Sequence, residues 1–235
     1  MSSNPTVLFD NSKNQYSIKR RIGSGGEGDV YEINEVTSIE LVAKIYKESI
    51  TDEKIEKLLV MVNAFDDKLQ GIAAWPRELL MDKNGHVRGF LMPRVKDHKP
   101  IHELFNPSAR KKYFPSADWA FLVNAAKNTV AAFHTIHSHG FVVGDVNEGN
   151  LMVSSSSTVK FIDCDSFQVS KNGKVYPCEV GVPMYTPPEL QARKSFRDSI
   201  RTVNHDVFGM AVICFQLLFM GRHPYVGIYQ GPDIT

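Results

Sequence analysis

Three side chains in the second half of the chain have the types and spacing for chemistry on a phosphate. Asp145 and Asn150 lie five positions apart in Val143-Gly144-Asp145-Val146-Asn147-Glu148-Gly149-Asn150, between the apolar runs 141–143 and 151–153. A second acid, Asp163, ends the strand-like run 159–162. A carboxylate can take a proton from a hydroxyl, while an amide and a second carboxylate can offer hard oxygens to a divalent cation. Asp and Asn are common in loops, so an isolated Asp-x-x-x-x-Asn carries little weight. The order of the segments around it carries the argument.

Upstream stands a glycine loop, Gly23-Ser24-Gly25-Gly26-Glu27-Gly28, followed by Asp29-Val30-Tyr31-Glu32-Ile33. Glycines let a backbone come close to phosphate oxygens with its N–H groups turned inward. A dinucleotide-binding loop of similar composition must lead into a helix. Here it leads into a strand, which counts against that fold. Lys44 follows in the apolar run Val42-Ala43-Lys44-Ile45, where a cation calls for an anionic partner. A lysine facing water from an edge strand is the plainer alternative.

These residues need elements to hold them. Runs 16–22 and 30–33 flank the glycine loop as a hairpin, and 41–46 reads as a third strand. Residues 51–65 read as a helix: Thr51 can cap it, and Ile55, Leu58, Leu59 and Val62 form one stripe. Strands 78–81 and 87–92 flank an Asn84-Gly85 turn. From Asp118 the pattern is helical until Gly140, and two short strands follow at 150–153 and 159–162. A last apolar helix opens at Asp206, with Gly221 and Pro224 as stops. The change from β-rich to α-rich falls near residues 93–97.

Bulk properties narrow the function classes. A chain of 235 residues with 43% hydrophobic and 23% charged residues has enough apolar surface for one large domain or two lobes. The net charge of +1 gives no support for nucleic-acid binding. Three scattered cysteines make neither a disulfide framework nor a zinc site and favour a reducing, cytoplasmic setting. The first residues lack the regions of a secretory signal, and the apolar run 207–220 is too short to span a membrane. His134, His137 and His139 read as packing or capping groups at a helix end.

Taken in order, these motifs resemble the protein-kinase superfamily, and within it the bacterial eukaryotic-like Ser/Thr kinases. Gly23, Gly25, Gly28 and Val30 match the glycine loop, and Lys44 the strand lysine. Met92 falls at the gatekeeper position, with Pro93, Arg94 and Val95 as the hinge. The segment 181–189 resembles the Gly-Thr-Pro to Ala-Pro-Glu stretch, and Asp206 the start of the helix anchoring the C-lobe. The resemblance implies an α+β bilobal fold: an antiparallel β-rich N-lobe with one helix over 1–93, a hinge at 94–97, and a mainly helical C-lobe, reduced or truncated, over 98–235. It implies ATP, with magnesium or alternatively manganese, and a Ser/Thr protein substrate that includes the kinase itself. A phosphatase is an implied partner.

By the same resemblance, Asp145 and Lys44 are the catalytic residues and Asn150 and Asp163 hold the metal. Gly23, Ser24, Gly25, Gly26, Gly28, Val30, Ala43, Lys44, Met92, Arg94 and Val95 meet the nucleotide. The expected carboxylate partner of Lys44 is a glutamate on the helix over 51–65. Glu56 lies beside the apolar stripe and Glu53 almost opposite its centre, so the helix angle favours Glu56.

The chain also departs from the family pattern. His-Arg-Asp becomes Val143-Gly144-Asp145, so the arginine that receives an activating phosphate is missing. Asn147 replaces a lysine, Val182 replaces a threonine, and Asp-Phe-Gly becomes Asp163-Cys164-Asp165. These changes keep open a second reading, a nucleotide-binding pseudokinase that regulates a partner. A small-molecule kinase is a third, against which Pro187-Pro188-Glu189 argues.

Overall fold

The computed structural model describes residues 7–35 and 39–227. The glycine-flanked strands do pair. β1 (Val7–Phe9), β2 (Gln15–Ser24), β3 (Gly28–Ile33) and β4 (Leu41–Tyr46) run antiparallel in sequence order. After α1 (Asp52–Asn63) and α2 (Asp67–Ile72) come β5 (Glu78–Met81) and β6 (Val87–Pro93). β6 pairs with β4, β5 with β6, and a Phe9–Met81 pair closes the sheet into a barrel in the order β1-β2-β3-β4-β6-β5.

Thr51 caps α1 by accepting from the Lys54 N–H, and Gly85 takes a positive φ in the β5–β6 turn, as their residue types dictate. α2 is a second helix within residues 1–93, where one was expected. Its Asp66 cap accepts from the Leu69 N–H, and it packs below the barrel on the segments Trp119–Ser138 and Val159–Phe161.

Next come β7 (His98–Pro100), α3 (Ile101–Phe105), α4 (Pro107–Tyr113), and the long α5 (Trp119–Ser138), capped by Asp118. β8 (Leu151–Ser154) and β9 (Val159–Phe161) join β7 in a small antiparallel sheet. A 3-10 turn over Cys164–Ser166 leads to the hairpin of β10 (Val169–Lys171) and β11 (Lys174–Tyr176). α6 (Pro188–Gln191) and α7 (Val203–Leu218) follow.

α7 starts three residues before the expected Asp206. Thr202 and His205 form a reciprocal capping box there, so Asp206 lies inside the first turn. Trp75, Phe133, Phe161 and Phe167 are fully buried in the main core, which α5 and α7 share. Three described cysteines are free thiols, and no described helix is long and apolar enough to cross a membrane.

Candidate active site

The site lies between the barrel and the β7-β8-β9 sheet. A cavity of about 450 Å³, within the range of small-molecule sites, is roofed by Gly23, Ser24, Gly25, Gly28 and Val30. Met92, Arg94 and Val95 border its back, and Lys44, Asn150 and Asp163 its inner end. Eleven of the sequence-derived positions thus share one cleft. Pro93, expected as part of the hinge, completes its wall with Ile22, Val42, Ala74, Met152 and Ile162, which were not foreseen.

Two expected nucleotide contacts lie elsewhere. Ala43 is fully buried on the other face of β4, inside the barrel with Leu8, Tyr31 and Leu91. Side chains alternate along a strand, so Val42 shares the cavity face with Lys44. Gly26 borders a different hollow beside Tyr46 and Lys47. Gly28 has a structural reason to be glycine: a Cβ there would stand 2.7 Å from the Ile45 carbonyl oxygen.

Asp145 sits beside the cavity. Its carboxylate accepts from Asn147 Nδ2 at 3.1 Å and Asn150 Nδ2 at 3.0 Å. Asn147 Oδ1 in turn accepts the Gly149 and Asn150 N–H groups, which fixes the turn. Burial pushes the Asp145 carboxyl above the usual carboxylate range, against the pull of the two amides. The loop is anchored from below by Asp206, which is fully buried. Its carboxylate accepts from the Val143 N–H at 2.7 Å, the Gly144 N–H at 2.8 Å and His137 at 2.8 Å. Of the other two histidines at this helix end, His139 bonds Asp66 and the Thr135 carbonyl.

Lys44 is 6% exposed and meets two carboxylates, Asp163 and, at 2.6 Å, Asp165. Burial alone would lower its pKa; the two acids, Asp165 foremost, hold it above the ordinary lysine range instead. Glu56 is not the partner. It points to the β10–β11 hairpin, where Lys174 and the Tyr176 hydroxyl donate to it. The helix stripe puts Lys57, Leu58 and Met61 on the buried face, which leaves Glu56 on the rim.

Sequence reasoning found Asp165 but assigned it no partner. It missed Arg201 altogether. Arg201 is 3% exposed and its guanidinium donates to the Gly144 carbonyl and, at 2.6 Å, to the Val180 carbonyl. It stacks on Phe196 and exchanges backbone–side-chain bonds with Gln168. Gly144 leaves room for it: a Cβ there would lie 3.0 Å from Arg201 Nη1 and 2.6 Å from Cys178 Cβ. A guanidinium from another segment thus lies against the position where the family carries its own arginine. Arg201 lies in no motif, so nothing local marked it.

Asn150 and Asp163 both border the cavity and carry a side-chain oxygen, and the Asp163 side chain is 52% exposed. Such a pair fits a small hard cation that keeps most of its waters and takes one or two protein oxygens. Among the described residues, no group of three or more His, Cys, Asp and Glu stands together that could hold a metal.

A β-barrel with a glycine turn over a cleft, a buried strand lysine and an Asp–Asn loop anchored by a helix aspartate together define a kinase-type site. Residues 16–231 match the family described as protein kinase domain, and the chain belongs to that family. It is 44% identical over 222 residues to Protein kinase YegI of Escherichia coli (strain K12), covering 94% of this chain and 34% of that protein. A probable serine/threonine-protein kinase, PknB of Lactococcus lactis, is 23% identical over 222 residues, covering 91% of this chain and 32% of that protein. The chain thus spans about a third of the length of these curated relatives. Among solved structures, the ROP18 kinase domain in complex with AMP-PNP and sucrose superposes with a TM-score of 0.63 at 17% identity, covering 94% of this chain and 69% of that one. At that identity the likeness concerns the fold.

Proposed function

We propose that this chain is an ATP- and magnesium-dependent protein kinase module transferring the γ-phosphoryl group to Ser or Thr hydroxyls. One observation carries the reading: the glycine turn, Lys44, Asn150 and Asp163 border one cavity, and Asn150 bonds Asp145 beside it. Residues 1–93 then form the N-lobe, 94–97 the hinge and 98–235 the C-lobe. In this reading the glycine turn covers the phosphates and Lys44 holds the α/β pair. Asp145 orients the substrate hydroxyl and accepts its proton; its raised pKa makes it a better base than an exposed carboxylate. Asn150 and Asp163 would hold magnesium, which when bound offsets charge on the phosphates. The relatives' names support protein hydroxyls as acceptors, and we include the chain itself among the candidate substrates. A phosphatase partner is implied by the same resemblance, and the three scattered cysteines favour a cytoplasmic setting.

Incubation with Mg-ATP and mass-spectrometric mapping tests this directly. New phosphoserine or phosphothreonine should appear, require magnesium, and vanish in Asp145→Asn and Asp163→Asn. Unchanged labelling in both variants would sink the proposal. The pseudokinase reading has one specific observation in its favour: Asn147, where the family has a cationic lysine, bonds Asp145 Oδ2 and brings no charge to the phosphate. Tight nucleotide binding without transfer would select it.

A further inference from the structure

The charges that hold Lys44 are arranged the reverse of what a helix carboxylate would give. α1 sends lysines, not glutamates, toward the turn over Cys164–Ser166. Lys54 Nζ lies 3.6 Å from Asp165 Oδ2 and donates to the Asp165 carbonyl at 3.2 Å. Lys57 Nζ donates to the carbonyls of Ser166 at 3.1 Å and Pro177 at 3.3 Å. Glu53 is exposed, and Glu56 is engaged with Lys174 and Tyr176. The carboxylate at the centre belongs to Asp165, 1% exposed, which also accepts from the Tyr46 hydroxyl at 2.7 Å.

A carboxylate this buried survives as an ion only with partners on both oxygens, and it has them: Lys44 on Oδ1, Tyr46 and Lys54 on Oδ2. Asp163 is the weaker anchor. It is half-exposed and borders the cavity, so its charge is shared with solvent and with any cation bound there, whereas Asp165 is buried.

We infer that Asp165 is the positioning residue of Lys44, taking the part of the helix glutamate, and that Lys54 ties this pair to α1. The inference rests on the reading of Lys44 as the nucleotide-holding lysine. Helix α1 then grips the Asp163-Cys164-Asp165 turn through Lys54 and Lys57 and reaches Lys44 only by way of Asp165.

The test compares wild type, Lys44→Met, Asp165→Asn, the double variant and Glu56→Gln by titration with a fluorescent Mg-ADP analogue, alongside urea unfolding. Each of the first two single variants should weaken nucleotide binding at least about tenfold. The double variant should be no weaker than the worse single, because the two side chains act as one unit. Glu56→Gln should bind within about twofold of wild type, since an exposed ion pair contributes little. In the transfer assay, Asp165→Asn should raise KM for ATP and leave KM for the hydroxyl substrate unchanged, whereas a general loss of structure would move both. Wild-type affinity in Asp165→Asn, or a loss in Glu56→Gln equal to that in Lys44→Met, would overturn the inference. If wild type binds no nucleotide, the kinase reading fails and the urea data still decide the pairing. Coupled losses in the folding equilibrium of Lys44→Met and Asp165→Asn support the pair, and additive losses refute it.

Discussion

Replacing Lys57 by methionine should abolish a rise in stability that the wild-type protein shows between neutral and alkaline pH. Lys57 is 6% exposed on α1, and burial lowers its pKa from 10.5 to about 8, with Lys54 adding like-charge repulsion. Below pH 8 the lysine is charged in both folded and unfolded chains, and the full cost of burying the charge is present. Between pH 8 and 10.5 the unfolded chain binds more protons, so stability climbs as pH rises. At 1.36 kcal/mol per pH unit the whole gap is on the order of 3 kcal/mol, of which about 2.5 falls between pH 7 and 10. Other groups titrate in that range, including the Cys178 thiol, raised by its own burial. Cys178 and Lys57 shift each other, so their mutual interaction stays in the difference, while groups that do not interact with Lys57 cancel.

The carbonyls of Ser166 and Pro177 lose a donor in the variant, which costs about 2 kcal/mol and moves the curve without changing its slope. Urea unfolding at pH 7, 8, 9 and 10 gives the two curves. A wild-type minus variant difference that stays flat within about 0.5 kcal/mol across the series would refute the argument.

Three further substitutions test the loop and its glycines. Asp206→Asn can still offer an oxygen to one of the Val143 and Gly144 N–H groups but not to both, so it should cost about 2 kcal/mol in urea unfolding and slow transfer by loosening Asp145. Gly144→Ala combines a φ of +72° with a Cβ 2.6 Å from Cys178 Cβ, and should lower stability by about 2–4 kcal/mol in the same assay. Gly26→Ala meets nothing within 4 Å and lies outside the cavity lining, so thermal midpoint and nucleotide affinity should both match wild type.

The strands, long helices and cavity positions were legible where a local pattern imposed them. Glycines at 23, 25 and 28 mark a tight turn between strands, and Lys44 in an apolar strand announces a cavity wall, although the residue sharing its face is Val42 and not the expected Ala43. Strand alternation, applied strictly, excludes Ala43 from the cavity. The partner of Lys44 was not legible, because Asp165 lies 121 positions away and no periodicity relates the two. Helix position 56 looked suitable by its angle alone, but which acid a lysine meets depends on which cations its rivals have already met. α2, α3 and α4 are short, and their existence rests on caps at Asp66 and Asn106 and on tertiary packing rather than on a repeat of apolar residues.

The meeting of Arg201 with Gly144 has a consequence for how sequences of this kind can vary. The guanidinium lies against the site where a side chain at 144 would begin, and it has already given hydrogen bonds to two backbone carbonyls. An arginine at 144 and an arginine at 201 therefore exclude each other, and the two positions should covary as a pair across lineages. A chain carrying the second choice closes Val180 onto the catalytic loop with a residue encoded in the gene. On the kinase reading proposed above, that link forms at folding and needs no added phosphate to hold it.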